Sequence, residues 1–241
     1  NYKAANIVRI RAIEAAGKIV ATNPKDENSV KLSKAIVDNL RYENSKRPRP
    51  SDDVILFGIT AVLRSKPADG EIAVAQFLDY SNARIRADAL NTLARLRSKS
   101  VNADARNLLK NDKEAIVRAN AARILGSAED KEAIELLLNA AIKDVDSRVR
   151  VSAIRALGNL KDASVVNYLI PFGNVRLAKE LGCNSVSKIA ISKLEKSPCN
   201  SEKSELLEIG TTLGRLLPNT NHQKAIEFLS EFGKLDNYES P

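Results

Sequence analysis

The sequence predicts an all-α fold built from repeated antiparallel helix pairs. Two stretches of the chain, 112–126 and 144–158, match at an offset of 32 residues, which places Val117-Arg118 over Val149-Arg150. Glycine (10) and proline (8) are sparse among the 241 residues, as expected for helices joined by short turns. Aromatic residues make up only 4% of the chain, so small and aliphatic side chains must fill the core between close helices.

The repeated element is a helix with one apolar face. Its copies begin with an apolar residue followed by Arg at Val8-Arg9, Ile85-Arg86, Val117-Arg118 and Val149-Arg150. We number that apolar residue as motif position 0. A small residue at position 4 and the pair at positions 7 and 8 lie on the same helical face. Position 9 is Gly17, Ala94, Gly126 or Gly158, small enough to end the helix or to let a neighbouring helix approach closely.

Other amphipathic segments lie between these copies. They are expected as helices at 29–40, 71–80, 131–143, 204–217 and 222–232, with turns at Ser197-Pro198 and Pro218-Asn219. Asn174-Val175-Arg176 reads as the start of a further copy, and residues 174–241 are expected to form divergent capping helices. One helix pair cannot bury its apolar face alone, so the pairs must stack on each other.

These residues resemble the short HEAT repeat of the phycobilisome-lyase type. That repeat has an apolar first helix, an Asp in the turn, and then Val-Arg, Ala and Leu-Gly on a second helix. The resemblance is clearest at 82–160. It is weaker at 5–20 and at 50–65, where Val54-Ile55 lacks the Arg, and it implies one array over 1–241. The expected fold is a right-handed α-α superhelix, a HEAT-type solenoid of about six to seven antiparallel helix pairs. The chain contains no Met and starts inside a helical pattern, so we expect further sequence upstream.

Asp and Arg recur at a fixed spacing in the turns. Asp112 precedes Arg118 by six residues, and Asp144 precedes Arg150 by six. A carboxylate at this point can bond the first N–H groups of the following helix, where negative charge is favoured. A repeat joint is needed at every step, whereas an active site is needed once, so we interpret these four residues as a structural ladder.

No pattern in the sequence indicates an enzyme or a metal site. His222 is the only histidine and is expected to cap the last helix or face solvent. The chain has no Gly-x-Ser-x-Gly elbow, no phosphate-binding loop and no His-Glu-x-x-His motif. Cys183 and Cys199 lack CxxC spacing and are expected as free thiols, with a disulfide between them as the alternative in an oxidising compartment. We therefore expect no catalytic residue, no metal and no cofactor.

The exposed side of the motif helix is the predicted binding surface. Positions 3, 6 and 10 point away from the apolar face. The partner-binding residues predicted from them, on the concave face, are Asn91, Arg95, Asn120, Arg123, Arg155 and Asn159. Arginine and amide side chains form directional hydrogen bonds with carboxylates, phosphates and peptide groups. Stacking at a period near 32 would align the three arginines in one groove.

Charge suggests which partners this surface would attract. The net charge of +8 favours acidic proteins or peptides, and nucleic acid is the second candidate. The absence of Trp leaves little for base stacking, which favours protein. Residues 41–50, with two prolines and basic side chains, are expected as a loop that either connects repeats or recruits a partner.

The functional prediction is a non-catalytic scaffold for protein–protein interaction, within a larger multidomain protein. The alternatives are a phosphate-binding or nucleic-acid-binding protein and a chromophore-lyase-type or isomerase-associated HEAT protein. No apolar run approaches the roughly 18–20 residues that a membrane span needs, so none is expected. The compartment stays open; a cytoplasmic location is favoured because no signal peptide is visible.

Overall fold

The computed structural model describes residues 2–45, 50–190, 200–218 and 221–233, and the side chains from 4 to 179 and from 203 onward within those ranges. In this part of the chain all regular structure is helical, with twelve α-helices, two 3-10 turns and no strand. The predicted all-α repeat fold is confirmed. The chain divides into two compact units, Asn1–Ala128 and Glu129–Pro241.

The first unit contains seven helices. They are α1 (Tyr2–Thr22), α2 (Glu27–Ser45), α3 (Asp52–Ser65), α4 (Gly70–Ala75), α5 (Ala83–Leu96), α6 (Asn102–Asn111) and α7 (Ala115–Ser127). Helices α1, α3, α5 and α7 form one row, in which α1 packs on α3, α3 on α5 and α5 on α7. We call these the second helices. Helices α2, α4 and α6 are the first helices, and each packs on the second helix that follows it.

The second unit contains five helices. They are α8 (Ile134–Lys143), α9 (Ser147–Asn159), α10 (Val166–Ala190), α11 (Asn200–Leu216) and α12 (Gln223–Gly233), with 3-10 turns at Lys131–Ala133 and Ala163–Val165. Helix α9 packs against α8 and α11, and α10 packs against α11 and α12. Val175-Arg176 lies inside α10, so the prediction that a new helix starts there is wrong.

Local sequence sets the ends of the motif helices. The side chain of Asn82 accepts a hydrogen bond from the Arg84 N–H at 2.9 Å and so caps α5. Asp146 caps α9 in the same way, accepting from the Arg148 N–H at 2.9 Å. Short polar side chains are favoured here because the first N–H groups of a helix have no partner within it. Arg97, with φ 57, ends α5 in the left-handed conformation that glycine more often supplies.

The cores are aliphatic, as the composition requires. Position 0 is completely buried in three copies, at Ile85, Val117 and Val149. The small residues at position 9 serve close packing. A Cβ on Gly17 would lie 3.0 Å from the Ala61 Cβ, where α1 meets α3. A Cβ on Gly158 would lie 3.1 Å from the Thr212 side chain, where α9 meets α11, and neither glycine ends its helix.

Two predicted elements have different bounds in the structure. Helix α2 continues to Ser45, so the interpretation of 41–50 as a loop is wrong for 41–45. The first proline of the 41–50 segment is Pro48. A proline disfavours helix only at the residue directly before it, so 41–45 can be helical. The Glu43 side chain there is buried and accepts a hydrogen bond from the Ser51 N–H at 2.6 Å. Lys46 to Arg49 lie outside the described residues. The helix expected at 71–80 ends at Ala75 and continues as turns.

Candidate partner-binding surface

The motif arginines are part of the fold. In Arg86, Arg118 and Arg150 one terminal nitrogen, Nη1, donates to two carbonyl oxygens of the preceding turn. The acceptor pairs are Tyr80 and Ser81, Asp112 and Lys113, and Asp144 and Val145, at 2.7–3.1 Å. The acceptors lie six and five residues before each Arg, which explains the regular spacing. The guanidinium thus satisfies carbonyls that would otherwise lack partners.

The other side of each guanidinium can bind a carboxylate of the next repeat. Arg86 Nε and Nη2 donate to the two carboxylate oxygens of Asp112 at 2.8 and 3.0 Å. The Asp112 side chain is 5% exposed. Arg9 forms an ion pair with buried Glu43, and its guanidinium lies 5.5 Å from the centre of the Tyr42 ring. Asp112 therefore links two repeats, but its carboxylate binds Arg86, while Arg118 takes its backbone carbonyl.

The second unit has a comparable buried carboxylate. The Glu205 side chain, on α11, is fully buried and accepts from Arg150 Nε at 2.8 Å. Arg176 Nε lies 3.2 Å from the other Glu205 oxygen, and its guanidinium lies 4.9 Å from the Phe172 ring centre. Two arginines on one carboxylate fix α9 and α10 against α11. Asp144 accepts from the Asp146 N–H at 2.9 Å, which holds the turn before α9.

Some of the predicted binding residues of unit 1 are exposed on the surface, and one is buried. Arg95 and Arg123 are exposed, and Arg123 Nη1 donates to Asn91 Oδ1 at 2.9 Å across α7 and α5. Both members of that bond occupy position 6, so these two helices are aligned in register. The prediction of Asn120 as a surface contact is wrong. It is 9% exposed, and its amide donates to the Ala87 carbonyl at 3.0 Å, which joins α7 to α5.

Helix α3 adds a row that the sequence reasoning missed. With Val54 as position 0, positions 3, 6 and 10 are Phe57, Thr60 and Arg64, and all three are exposed. Asn82 Nδ2 donates to Asp52 Oδ2 at 2.8 Å, which aligns the start of α5 with the start of α3. Position 10 is consequently basic on three neighbouring helices, as Lys18, Arg64 and Arg95. The sequence placed a weaker copy of the motif at 50–65, where Val54-Ile55 lacks the Arg, but the exposed positions of that copy were not included in the predicted surface.

We call Lys18, Arg64, Arg95 and Arg123 the basic face of unit 1. Among the described residues neither Arg64 nor Arg95 has a hydrogen-bond or ion-pair partner, so both charges are available to a ligand. Lys18 and Arg11 bind Glu14 at 2.8 and 3.0 Å. The Lys18 hydrogen bond, followed by that of Arg11, holds the pKa of the Glu14 carboxyl below its ordinary value.

Besides Glu14, a second acidic side chain lies on this face. Asp88 occupies position 3 of α5, and burial raises the pKa of its carboxyl despite Arg84, whose Nε lies 3.9 Å away. A raised pKa means that the ionised form is poorly solvated at this point. The carboxylate therefore weakens, at neutral pH, an otherwise positive surface.

The two predicted binding residues of unit 2, Arg155 and Asn159, differ in whether the fold already uses their side chains. Asn159 is exposed at the end of α9. Arg155 Nε donates to Glu208 Oε2 on α11 at 3.0 Å, and the Glu208 side chain is 8% exposed. That hydrogen bond raises the pKa of the Arg155 guanidinium above its ordinary value. Arg155 thus has a buried partner within its own unit, unlike Arg64 and Arg95.

The described residues of each unit line an open groove. In unit 1 a groove of about 1060 Å³ is lined by the ends of the first helices, by the turn before α5, and by the ion-paired side chains of Arg86 and Asp112. In unit 2 a groove of about 490 Å³ lies between α10 and α12. His222 stands at its edge, where Nδ1 accepts from the Ala225 N–H at 3.3 Å and caps α12, as predicted. The side chains of Cys183 and Cys199 lie outside the described residues.

Comparison with known proteins agrees with the repeat assignment. Residues 102–174 match the family model of HEAT repeats. The predicted resemblance to HEAT repeats is confirmed there, while the phycobilisome-lyase subtype is not. HEAT repeats in general mediate protein–protein interaction.

No curated protein sequence matches the chain. A crystal structure of an engineered protein is similar with 14% identity and a TM-score of 0.41, over 83% of this chain and 97% of that one. In the described part of the chain, no helix combines the length and the apolar character needed to cross a membrane.

Proposed function

We propose that the chain is a protein-binding scaffold whose unit 1 holds an acidic segment of a partner on the basic face. The observation that supports this most is the pair Arg64 and Arg95. Both occupy position 10 of neighbouring second helices, both are exposed, and neither has a partner among the described residues. Folding requires neither charge, in contrast to Arg86, whose guanidinium holds a turn and a buried carboxylate.

The neighbouring side chains suit a carboxylate ligand. Arg123 is fixed by its bond to Asn91, so its remaining donors are oriented before a ligand arrives. A guanidinium can form two parallel hydrogen bonds with one carboxylate, which gives direction as well as attraction. Phe57 is 37% exposed and lies on the same side of α3 as Arg64, two helical turns away, where it offers an apolar contact. A mixed surface of this kind is typical of protein interfaces, where arginine and aromatic residues are enriched.

The predicted role of Arg155 and Asn159 is retained as a separate proposal for unit 2. Asn159 is available on the surface of α9. Arg155 would contact a ligand only through donors that Glu208 leaves free, because Nε and Nη2 already bind that carboxylate. We therefore place the main contact on unit 1.

A comparison of binding affinities distinguishes protein from nucleic acid as the class of partner. Fluorescence anisotropy would compare a labelled poly-glutamate peptide with a labelled DNA duplex, each titrated with the chain over a range of salt concentrations. The proposal predicts that the peptide binds more tightly at physiological salt. DNA binding is expected to be weaker and to fall steeply as salt rises, since it depends on counterion release. Tighter binding of the duplex at physiological salt would favour the nucleic-acid alternative.

A further inference from the structure

Helices α3 and α5 end level with each other on the surface of unit 1. They pack together, both are 14 residues long, and their starts are joined through Asp52. The two Asp52 carboxylate oxygens accept from Tyr80 Oη and Asn82 Nδ2, each at 2.8 Å. Arg64 and Arg95 are each the last residue but one of their helix, so they lie side by side.

A second base follows each of these arginines. Lys66 and Arg97 end α3 and α5 in the left-handed conformation, with φ 47 and 57, and both are exposed. Among the described residues, none of these four side chains has a hydrogen-bond or ion-pair partner. Each helix end therefore carries a column of two free cations. We call Arg64, Lys66, Arg95 and Arg97 the paired columns.

The paired columns are limited to these two helices. On α1 the equivalent position 10 is Lys18, whose ammonium already binds Glu14 at 2.8 Å. On α7 it is Ser127, which has no charge. At this level of the surface a ligand therefore meets two cationic points of contact, one for each helix.

Helix packing sets the distance between the two columns. The axes of packed helices are roughly 8–10 Å apart. Guanidinium groups repel each other, so the arginines of the two columns do not approach each other in the free protein. Two carboxylates roughly 8–10 Å apart can thus bind one column each, while Arg64 and Arg95 stay above their own helices.

Backbone conformation decides which peptides have this spacing. In a polyproline II helix, residues three apart lie on one side at a distance of about 9.3 Å. In a β-strand the same side recurs after two or four residues, at about 6.7 or 13 Å. In an α-helix it recurs after three or four residues at about 5–6 Å, and after seven at about 10.5 Å. The polyproline II spacing is the one that lies inside the range set by α3 and α5.

We infer that the paired columns bind a partner segment in the polyproline II conformation with an acidic residue at every third position. This inference rests on the proposed function, and it adds a defined conformation and spacing to the acidic segment. The smallest matching element is two acidic residues with two residues between them. A segment that already populates this conformation loses little conformational entropy when it binds, which favours affinity.

The test compares two labelled peptides by fluorescence anisotropy with the full chain. One consists of Glu-Pro-Pro repeats. The other has the same length and composition, but its glutamates stand in adjacent pairs separated by four prolines, so that no two are three positions apart. Proline fixes φ and keeps both peptides in polyproline II. We expect the repeat peptide to bind at least about fivefold more tightly, because the other leaves one column without a carboxylate.

Two variants show whether the spacing is sensed by the paired columns. Arg95→Gln weakens one column and should bring the ratio of the two affinities close to one. Lys34→Gln, at an exposed position of α2, is the matched control, which loses the same charge and should keep the ratio of the native chain. Melting curves by circular dichroism check that both variants are folded, as expected for exposed residues.

Three results would overturn the inference while the proposed function stands. They are equal affinities of the two peptides for the native chain, a ratio that Arg95→Gln leaves unchanged, and tighter binding of an α-helical peptide of the same charge with glutamates seven positions apart. If none of the acidic peptides binds the native chain, the proposed function fails, and this inference fails with it.

Discussion

Arg86 and Asp112 lie 26 residues apart in the chain and form a two-pronged ion pair, with Nε–Oδ2 and Nη2–Oδ1 distances of 2.8 and 3.0 Å. Both side chains are largely buried, at 15% and 5% exposure. The pair connects the start of one motif helix to the turn before the next. It is the clearest example of how the repeats are joined.

Removal of Asp112 should be strongly destabilising. Asp112→Ala leaves the buried Arg86 guanidinium without its carboxylate and also removes the acceptor for the Glu114 N–H. We expect the free energy of unfolding to fall by about 3 kcal/mol, the usual cost of breaking a buried pair on one side. Asp104→Ala, on exposed α6 surface, is the control and should change it by less than about 0.5 kcal/mol. Equal effects in urea denaturation would show that the pair does not join the repeats.

Asp144 should matter for stability and not for binding. Asp144→Ala removes the acceptor for the Asp146 N–H ahead of α9. We expect a loss of about 1–2 kcal/mol, as for a helix cap or a charged hydrogen bond. Thermal unfolding measures it. A variant of native stability that fails to bind the partner would mean that Asp144 is a contact residue.

Gly17 should resist substitution because α3 lies against it. Gly17→Leu forces a side chain onto the Ala61 backbone, whose Cα would lie 3.1 Å from the new Cβ. We expect a loss of about 1–3 kcal/mol from overpacking. Gly214, inside α11, has nothing within 4 Å of such a Cβ. Gly214→Leu should therefore stabilise the protein by up to about 1 kcal/mol through helix propensity. The same sign of change at both positions would contradict the close approach of α1 and α3.

Asp88 should lower stability at neutral pH. Burial raises the pKa of its carboxyl in the folded chain, so the native state holds this proton more tightly than the unfolded chain does. The contribution of Asp88 to stability is then most favourable below its unfolded pKa and decreases as pH rises through the folded pKa. Asp88→Asn should raise the melting temperature at pH 7, and the gain should shrink in acid. A gain that grows in acid would reverse the sign of the shift.

Arg155 should behave differently from Arg95. Arg155→Glu places a second carboxylate beside Glu208, which is 8% exposed, and should cost on the order of 2 kcal/mol. Arg95→Glu removes no contact with a described residue and should stay within about 0.5 kcal/mol. Chemical denaturation of the two variants provides the comparison. An unchanged free energy of unfolding in Arg155→Glu would show that the Arg155–Glu208 pair does not stabilise unit 2.

The sequence predicted the helices better than the contacts between them. The 32-residue offset located α7 and α9 because buried Val117 and Val149 keep a helical period. It could not show that the Asp112 carboxylate binds Arg86, because a spacing of six within one copy suggested Arg118 instead. The two Asp112–arginine contacts use different atoms, and only a three-dimensional structure separates them.

The binding surface was predicted only in part, for a similar reason. Arg95 and Arg123 were found because a helix with a known buried face has a known opposite face. Asn120 lies at the edge of that face, where the approach of α5 decides whether a side chain is covered. Arg64 was missed because the exposed positions of the weaker copy at 50–65 were not included in the predicted surface.

The most direct test of the scaffold proposal is the affinity of the chain for the poly-glutamate peptide after charge reversal on the basic face. The test variant carries Arg64→Glu, Arg95→Glu and Arg123→Glu. The control carries Lys34→Glu, Lys99→Glu and Lys110→Glu, which change the net charge equally at exposed positions outside that face. We predict that the test variant folds normally and binds at least about tenfold more weakly than the control. Equal affinities of the two variants would contradict the assignment of the partner to this face.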